Sequence, residues 1–260
     1  MTSAQTMLCR LALVAAAVAL LPGCGGSGPK LTPPSVIPAP YDTAQGDVLW
    51  AVVPLRNESG TSTFDVLRFS DEIVASCSEI PGIATVPINR TLSTMRALGM
   101  KDLESADDVR TLANEMGVDG IIVGSVTAYD PYRPTFGVAL ALYAIDNRMY
   151  VYADPGALDV RSLTWQPTEY KYFYASSGDP SEPVSVMSTV YDGENHSVKM
   201  QVKNYATGRH DTESALGWER YIKSMVLFTK FAAHRSVDQL IQNEWIRVTK
   251  AMGRQSQESP

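Results

Sequence analysis

Short, continuous apolar runs alternate along the chain with stretches of helical period, and this alternation predicts a layered α/β fold. Residues 48–55 (VLWAVVPL) are apolar at almost every position, as expected of a strand covered on both faces, and Asn57-Glu58-Ser59-Gly60 ends the run. Between Phe64 and Ile80, the positions Val66, Ile73, Cys77 and Ile80, flanked by Leu67 and Val74, repeat with a helical period. Gly82 precedes a second strand at 83–86. Asn89 is placed to cap a short helix carrying Leu92, Met95 and Leu98, which Gly99 would end. Ser105-Ala106-Asp107-Asp108 reads as a capping box for a helix with Val109, Leu112, Ala113 and Met116 on one face and Gly117 as its stop. A buried strand at 121–127 follows, then a stiff loop, YDPYRP at 129–134, and a strand at 136–145. Asp146-Asn147 is read as a turn into a further strand at 149–152.

The resulting order, β-α-β-α-α-β-β-β, predicts a mixed sheet with helices packed on it, followed by a carboxy-terminal helical segment. The aromatic, polar, proline-interrupted stretch 165–183 reads as a surface excursion, with one more strand at 184–191. Val198, Val202, Tyr205 and Ala206 predict a helix from about Gly193 to Gly208. From Ser214 the pattern Trp218, Tyr221, Ile222, Met225 and Phe228 runs on to Leu240, Ile241 and Trp245. Two forms of this tail stay open: one helix of about 50 Å, or two helices broken at 234–236. It would pack on the domain or mediate self-association.

The amino terminus changes the picture from globular to anchored. Arg10 precedes the apolar run LALVAAAVALL, which at about eleven residues is too short to span a bilayer. Leu21-Pro22-Gly23-Cys24 then meets the lipobox requirements, with Leu three positions before the Cys and a small residue next to it. This predicts lipidation of Cys24; an ordinary cleaved secretory signal and an uncleaved short anchor are the alternatives. Residues 25–40 (GGSGPKLTPPSVIPAP) read as a tether that would extend up to roughly 50 Å. Cys9 leaves with the leader and Cys24 carries lipid, so Cys77 has no disulfide partner and is expected to be a small buried core residue. Gly25, where an inner-membrane retention signal would place Asp, favours the outer membrane, facing the periplasm. The chain divides into a leader at 1–23, a lipidated Cys and tether at 24–46, an α/β domain at 47–153, an excursion completing it at 154–192, a helical region at 193–253 and a tail at 254–260.

Charge and chemistry narrow the function. With 28 acidic against 22 basic residues and no Lys/Arg cluster, nucleic acid is not an expected partner. His196, His210 and His234 lack metal-ligand spacing, so no metal or other cofactor is expected. No nucleophile signature is present, and Gly117, Gly120 and Gly124 follow a helix and lead into a strand, the reverse of a dinucleotide fingerprint. They read instead as a helix stop, a turn and a close-packed strand position. Glu194 beside His196 has nothing converging on it. The candidate contact residues are Tyr129, Asp130, Tyr132 and Arg133, where a rigid loop offers aromatic and cationic area at small ordering cost; tyrosines folded onto the sheet edge are the alternative. Tyr172 and Tyr174, with Tyr170 and Phe173, form a second aromatic cluster that is either a lid or a partner surface.

Through 52–60 (VVPLRNESG), 112–126 (LANEMGVDGIIVGSV) and the strand after YDPYRP, the chain resembles the curli-secretion (CsgG-like) lipoproteins and the related amino-terminal domain of TolB-type proteins. The resemblance covers about residues 47–150 and rests on structural, not catalytic, motifs. It implies a non-enzymatic envelope lipoprotein that binds other envelope proteins and helps assemble or organise an envelope or secretion complex, with self-association into an oligomer as a further expectation. Paired alternating strands of roughly ten residues, which a membrane barrel needs, are not found, and Pro167 interrupts the one insertion of suitable size. An oligomeric export pore is therefore the weaker form of the resemblance, and an exported ligand-binding protein or hydrolase the alternative outside it.

Overall fold

The apolar run at 48–55 divides its side chains between two layers. In the computed structural model, which describes residues 36–152, 182–209 and 215–258, β1 (Val48–Val52) sends Val48, Trp50 and Val52 into one core cluster and Ala51 into another. After Pro54, β2 (Arg56–Asn57) continues in the same direction and pairs in parallel with Ser125 and Val126. β3 (Ile83–Thr85) and β4 (Gly120–Asp130) flank β1, both parallel to it. β5 (Thr135–Ala144) and β6 (Ser185–Asp192) add antiparallel strands, so the sheet runs β3-β1-β4-β5-β6 with β2 beside β4. This is the predicted α/β fold with a mixed sheet.

Helix α1 (Val66–Ser78) starts at Asp65, whose Oδ1 accepts the Arg68 amide at 3.0 Å. Its buried stripe is Phe69, Ser70, Ile73, Ser76 and Cys77, and Cys77 is a free, fully buried thiol. The expected Ile73, Cys77 and Ile80 are buried and Val66 and Val74 pack beside them, but Leu67 is 48% exposed, and Phe69, outside the expected stripe, enters the cluster of Phe64, Tyr129 and Phe136. Helix α2 (Ile88–Ala97) is not capped by Asn89. Pro87 occupies the cap with no side-chain bond, because Ile88 is buried and draws the first turn onto the core two residues early. Helix α3 (Ala106–Met116) carries the predicted capping box between Ser105 and Asp108, and Gly117 stops it at φ 64°. Gly120 lies in β4 rather than in a turn, where an added Cβ would meet the Trp50 ring and the Met149 sulfur at 2.8 Å. At Gly124 an added Cβ would fall 2.3 Å from the Ala139 carbonyl oxygen, so that strand position is close-packed as expected.

The strand expected at 149–152 is a 3-10 turn, Asn147–Tyr150, with only Tyr152 bridging to Tyr41. The reason is local. Both the Ile145 and Asp146 amides donate to the Asp119 carbonyl, which turns the chain off the end of β5, and Arg148 then reaches the Asp119 carboxylate at 3.1 Å. The position beside β5 belongs to β6, the further strand expected at 184–191.

Helix α4 (His196–Ala206) buries Val198, Val202 and Ala206 as its spacing predicts. A single turn, α5 (Arg220–Lys223), leads through extended Ser224 into α6 (Met225–Glu258), 34 residues without interruption at 234–236. The break in the tail thus falls at Ser224. Helix α6 packs on α1 and β6, and every residue from Gln239 to Trp245 is buried. Ser185 Oγ donates to the Leu240 carbonyl, Tyr191 and Ser236 share a hydroxyl bond, and Asn243 Nδ2 donates to the Val186 carbonyl at 3.0 Å. α6 therefore runs antiparallel to β6, covering one face and part of its outer edge.

Candidate partner-binding surface

The folded part begins ten residues before the expected boundary. Ile37, Ala39 and Tyr41 are buried between prolines, so the stretch expected to be free tether is strapped across the core. The Trp245 indole donates to the Pro38 carbonyl at 2.7 Å, the Ala39 amide to the Pro81 carbonyl at 2.9 Å, and the Asp42 amide to the Val151 carbonyl at 3.0 Å. Tyr41 donates its hydroxyl to Glu244 at 2.9 Å, and Arg247 Nη2 meets the same carboxylate at 2.7 Å. Burial, then the Glu244 charge, pushes the Tyr41 phenol well above its ordinary range. No sequence reading singled out these three residues. The available signal was Glu244 and Arg247, three apart inside an otherwise buried helical run. Asp119 fastens the same end of the sheet: it accepts the Leu49 amide at 2.7 Å, and its partner Arg148 also reaches the Gly46 and Asp47 carbonyls. The Gly117-Val118-Asp119 motif is thus structural.

The strap lies where β1 and β3 begin, and the 129–134 motif lies where β4 ends. β4 has eleven residues, and at about 3.4 Å per residue the two places are separated by about 35 Å. The structure divides the four described candidates. Tyr129 belongs to β4 and packs inward, 4.7 Å from Phe64 and 6.4 Å from Phe136 between ring centroids. Asp130 holds the turn, accepting the Tyr132 amide at 2.9 Å and the Arg133 amide at 3.2 Å. Those bonds, Arg133 first, hold its carboxyl below the usual range. Tyr132 is 95% exposed and Arg133 is exposed beside it. Only this pair presents free side chains, on a turn stiffened by Pro131, Pro134 and Asp130. Cys24, Tyr170, Tyr172, Phe173 and Tyr174 lie outside the described residues.

The remaining chemistry stays dispersed. Glu194 and His196 are both exposed at the start of α4, and Asp107 and Asp108 lie in the first turn of α3, where Asp108 completes the capping box. Among the described residues no group of three or more His, Cys, Asp or Glu could hold a metal ion, and no described helix is long and apolar enough to cross a membrane. His234 is half-buried on α6, facing Tyr205 with ring centroids at 5.0 Å and Glu79, just past the end of α1, at 3.8 Å. Burial, then the charges of Arg209 and Arg235, lowers its pKa to about 4, and Glu79 does not reverse this because Arg209 shares it at 3.6 Å. The unfolded chain protonates this histidine near pH 6.5, whereas the folded chain does so only near pH 4. Below pH 6.5 the unfolded state therefore binds more protons, and stability falls by up to about 1.4 kcal/mol per pH unit through that window. Asp238, raised by burial, contributes with the opposite sign as the pH falls towards its own range. His234→Gln should flatten the profile between pH 6.5 and 4 in denaturant midpoints; an unaltered slope would exclude His234 as its source.

No protein-family model matches the chain, and no curated protein matches it. Solved structures match in fold outline only. The LpoB carboxy-terminal domain from Salmonella enterica is 9% identical over 60% of this chain and 85% of its own, with a TM-score of 0.38. Lipoprotein GNA1162 from Neisseria meningitidis is 16% identical over 64% of this chain and 99% of its own, with a TM-score of 0.36. A PelC dodecamer subunit from Paraburkholderia phytofirmans is 11% identical over 81% and 95%, with a TM-score of 0.35.

Proposed function

We propose that this chain is a lipid-anchored, non-catalytic protein of the bacterial cell envelope that binds other envelope proteins and helps assemble or organise their complex. The observation carrying the proposal is the placement of the two ends of the sheet. A chain anchored at Cys24 would enter the fold at the strap of Ile37, Ala39 and Tyr41, and the exposed Tyr132–Arg133 turn sits about 35 Å away at the far end of β4. Pull on the anchor is then taken by a buried network, while the turn faces away from the lipid. The resemblance to curli-secretion lipoproteins supports the same reading, since its motifs occupy structural places here: the 57–60 loop follows β2, Asp119 fastens β1, and Gly124-Ser125-Val126 lies within β4.

The test is site-specific photo-crosslinking in cells, with a photoreactive residue at position 132 of the full chain. The expected result is a defined protein adduct in the membrane fraction. Capture of that partner by the chain without the photoreactive residue should fall roughly 30-fold when Tyr132 and Arg133 both become Ala, the loss of one hot-spot contact of about 2 kcal/mol. The melting curve should not move, because neither side chain is buried. Unchanged capture by the double variant removes the turn as the contact.

A further inference from the structure

Helices α2 and α3 cover only the half of their sheet face that belongs to β1 and the start of β4. On the same face, β4, β5 and β6 align small side chains in register: Val123, Ala141 and Val186 form one row, and Ser125, Ala139 and Ser188 the next. Ser188 is exposed, Val190 is 57% exposed, and Ala139, Ala141 and Val186 are half-buried. Val109 and Ala106 of α3 form a wall beside these strands, enclosing with them a groove of about 350 Å³.

The dimensions select the occupant. Three strands spaced about 4.8 Å apart are about 10 Å wide, the diameter of one helix. Gly137 to Tyr143 spans about 20 Å of β5, the length of about thirteen helical residues. That strip offers on the order of 200 Å², well short of the roughly 800 Å² per partner that a stable dimer needs, so a second copy packed face to face does not fit. Alanine and serine at the centre let a helix backbone approach closely. Charge is set at one end, where Glu58, Asp102 and Glu104 line the groove with Arg56. Arg56 is taken by Asp102 at 3.0 Å, and neither Glu58 nor Glu104 has a cationic partner among the described residues.

We infer that this groove takes one amphipathic helix from a partner protein, with small aliphatic residues against β4, β5 and β6 and Lys or Arg at the end beside Glu58 and Glu104. This surface is separate from the Tyr132 turn and goes beyond the reading given for it. The probe is a synthetic 16-residue helix with Ala and Leu on one face and Lys at one end, compared with a twin carrying Glu in place of Lys. Both are titrated into the methyl-labelled full chain in mild detergent at low salt. The Lys helix should shift the methyl signals of Ala139, Ala141 and Val186, and Glu58→Gln with Glu104→Gln should weaken it about tenfold. Equal binding of the two helices, shifts confined to other residues, or no shift at millimolar peptide would overturn the inference. Since both components are purified, the result does not depend on whether the Tyr132 turn captures a partner in cells.

Discussion

Glu244→Ala lowers the free energy of unfolding by about 3–5 kcal/mol, because it strips a buried cation of its counter-charge. Glu244 is fully buried. Its carboxylate receives Arg247 through Nη2 at 2.7 Å and Nε at 3.1 Å, and the Tyr41 hydroxyl at 2.9 Å. Arg247 also donates to the Met149 carbonyl and sits over the Tyr150 and Tyr152 rings at 5.3 and 5.8 Å. Burial alone would favour the neutral form of the guanidinium, and the charge and hydrogen bonds of Glu244 more than reverse this. Without the carboxylate, the mostly buried cation and the buried phenol both lose their partner. Tyr41→Phe should cost much less, about 0.5–1.5 kcal/mol, since it deletes one hydrogen bond and leaves the ion pair intact. Replacing Glu244 and Arg247 together by Met should cost far less than Glu244→Ala, as apolar replacements of whole buried pairs do. Urea midpoints at constant slope measure all three. A loss below about 1 kcal/mol for Glu244→Ala would mean that the network carries no net stabilisation.

The parts of this fold that local chemistry determines were legible in the sequence. Ser105 with Asp108 announces the start of α3, Gly117 its end, and the unbroken apolar run of β1 a strand buried on both faces. Errors arose where distant residues decide. Asn89 has good cap chemistry, but Ile88 is drawn into the core and Pro87 takes the cap. Residues 149–152 have strand composition, yet two amides on the Asp119 carbonyl redirect the chain before a strand can form. The proline-rich stretch reads as tether by composition, and only its contact with Trp245, 207 residues later, reveals a strap. The candidate surface was legible in the same measure. YDPYRP signals a stiff turn, but which of its tyrosines points outward depends on the irregularity between Val126 and Ala128, which sets Tyr129 opposite Phe136. The open groove leaves no trace in residue pattern, because a half-covered strand face of Ala, Ser and Val reads like a covered one.

Ending the chain after Ser224 should abolish cooperative folding, the largest effect expected of any change considered. α6 follows the folded sheet in sequence, but it is interior in the structure. Phe228, Phe231, Leu240, Ile241, Trp245 and Val248 are all buried, and reducing any one of the larger of these to Ala costs about 2–5 kcal/mol. Their joint loss exceeds the roughly 5–15 kcal/mol by which domains are stable. The same helix satisfies the Val186 carbonyl, the Ser185 hydroxyl and the Pro38 carbonyl, so its removal leaves polar groups of β6 and of the strap without partners. Near-ultraviolet circular dichroism and a denaturant titration of the truncated chain should show no fixed aromatic packing and no sigmoidal transition. A retained sigmoidal transition would instead make α6 an appendage on an independently stable sheet. Leu240→Ala provides the graded counterpart, a folded protein weakened by about 2–5 kcal/mol. The consequence reaches the proposed role, because the strap bonds to α6 across more than two hundred residues. The strap can then be held only after the last helix is in place, so a chain anchored as proposed would resist pull only once it is completely folded.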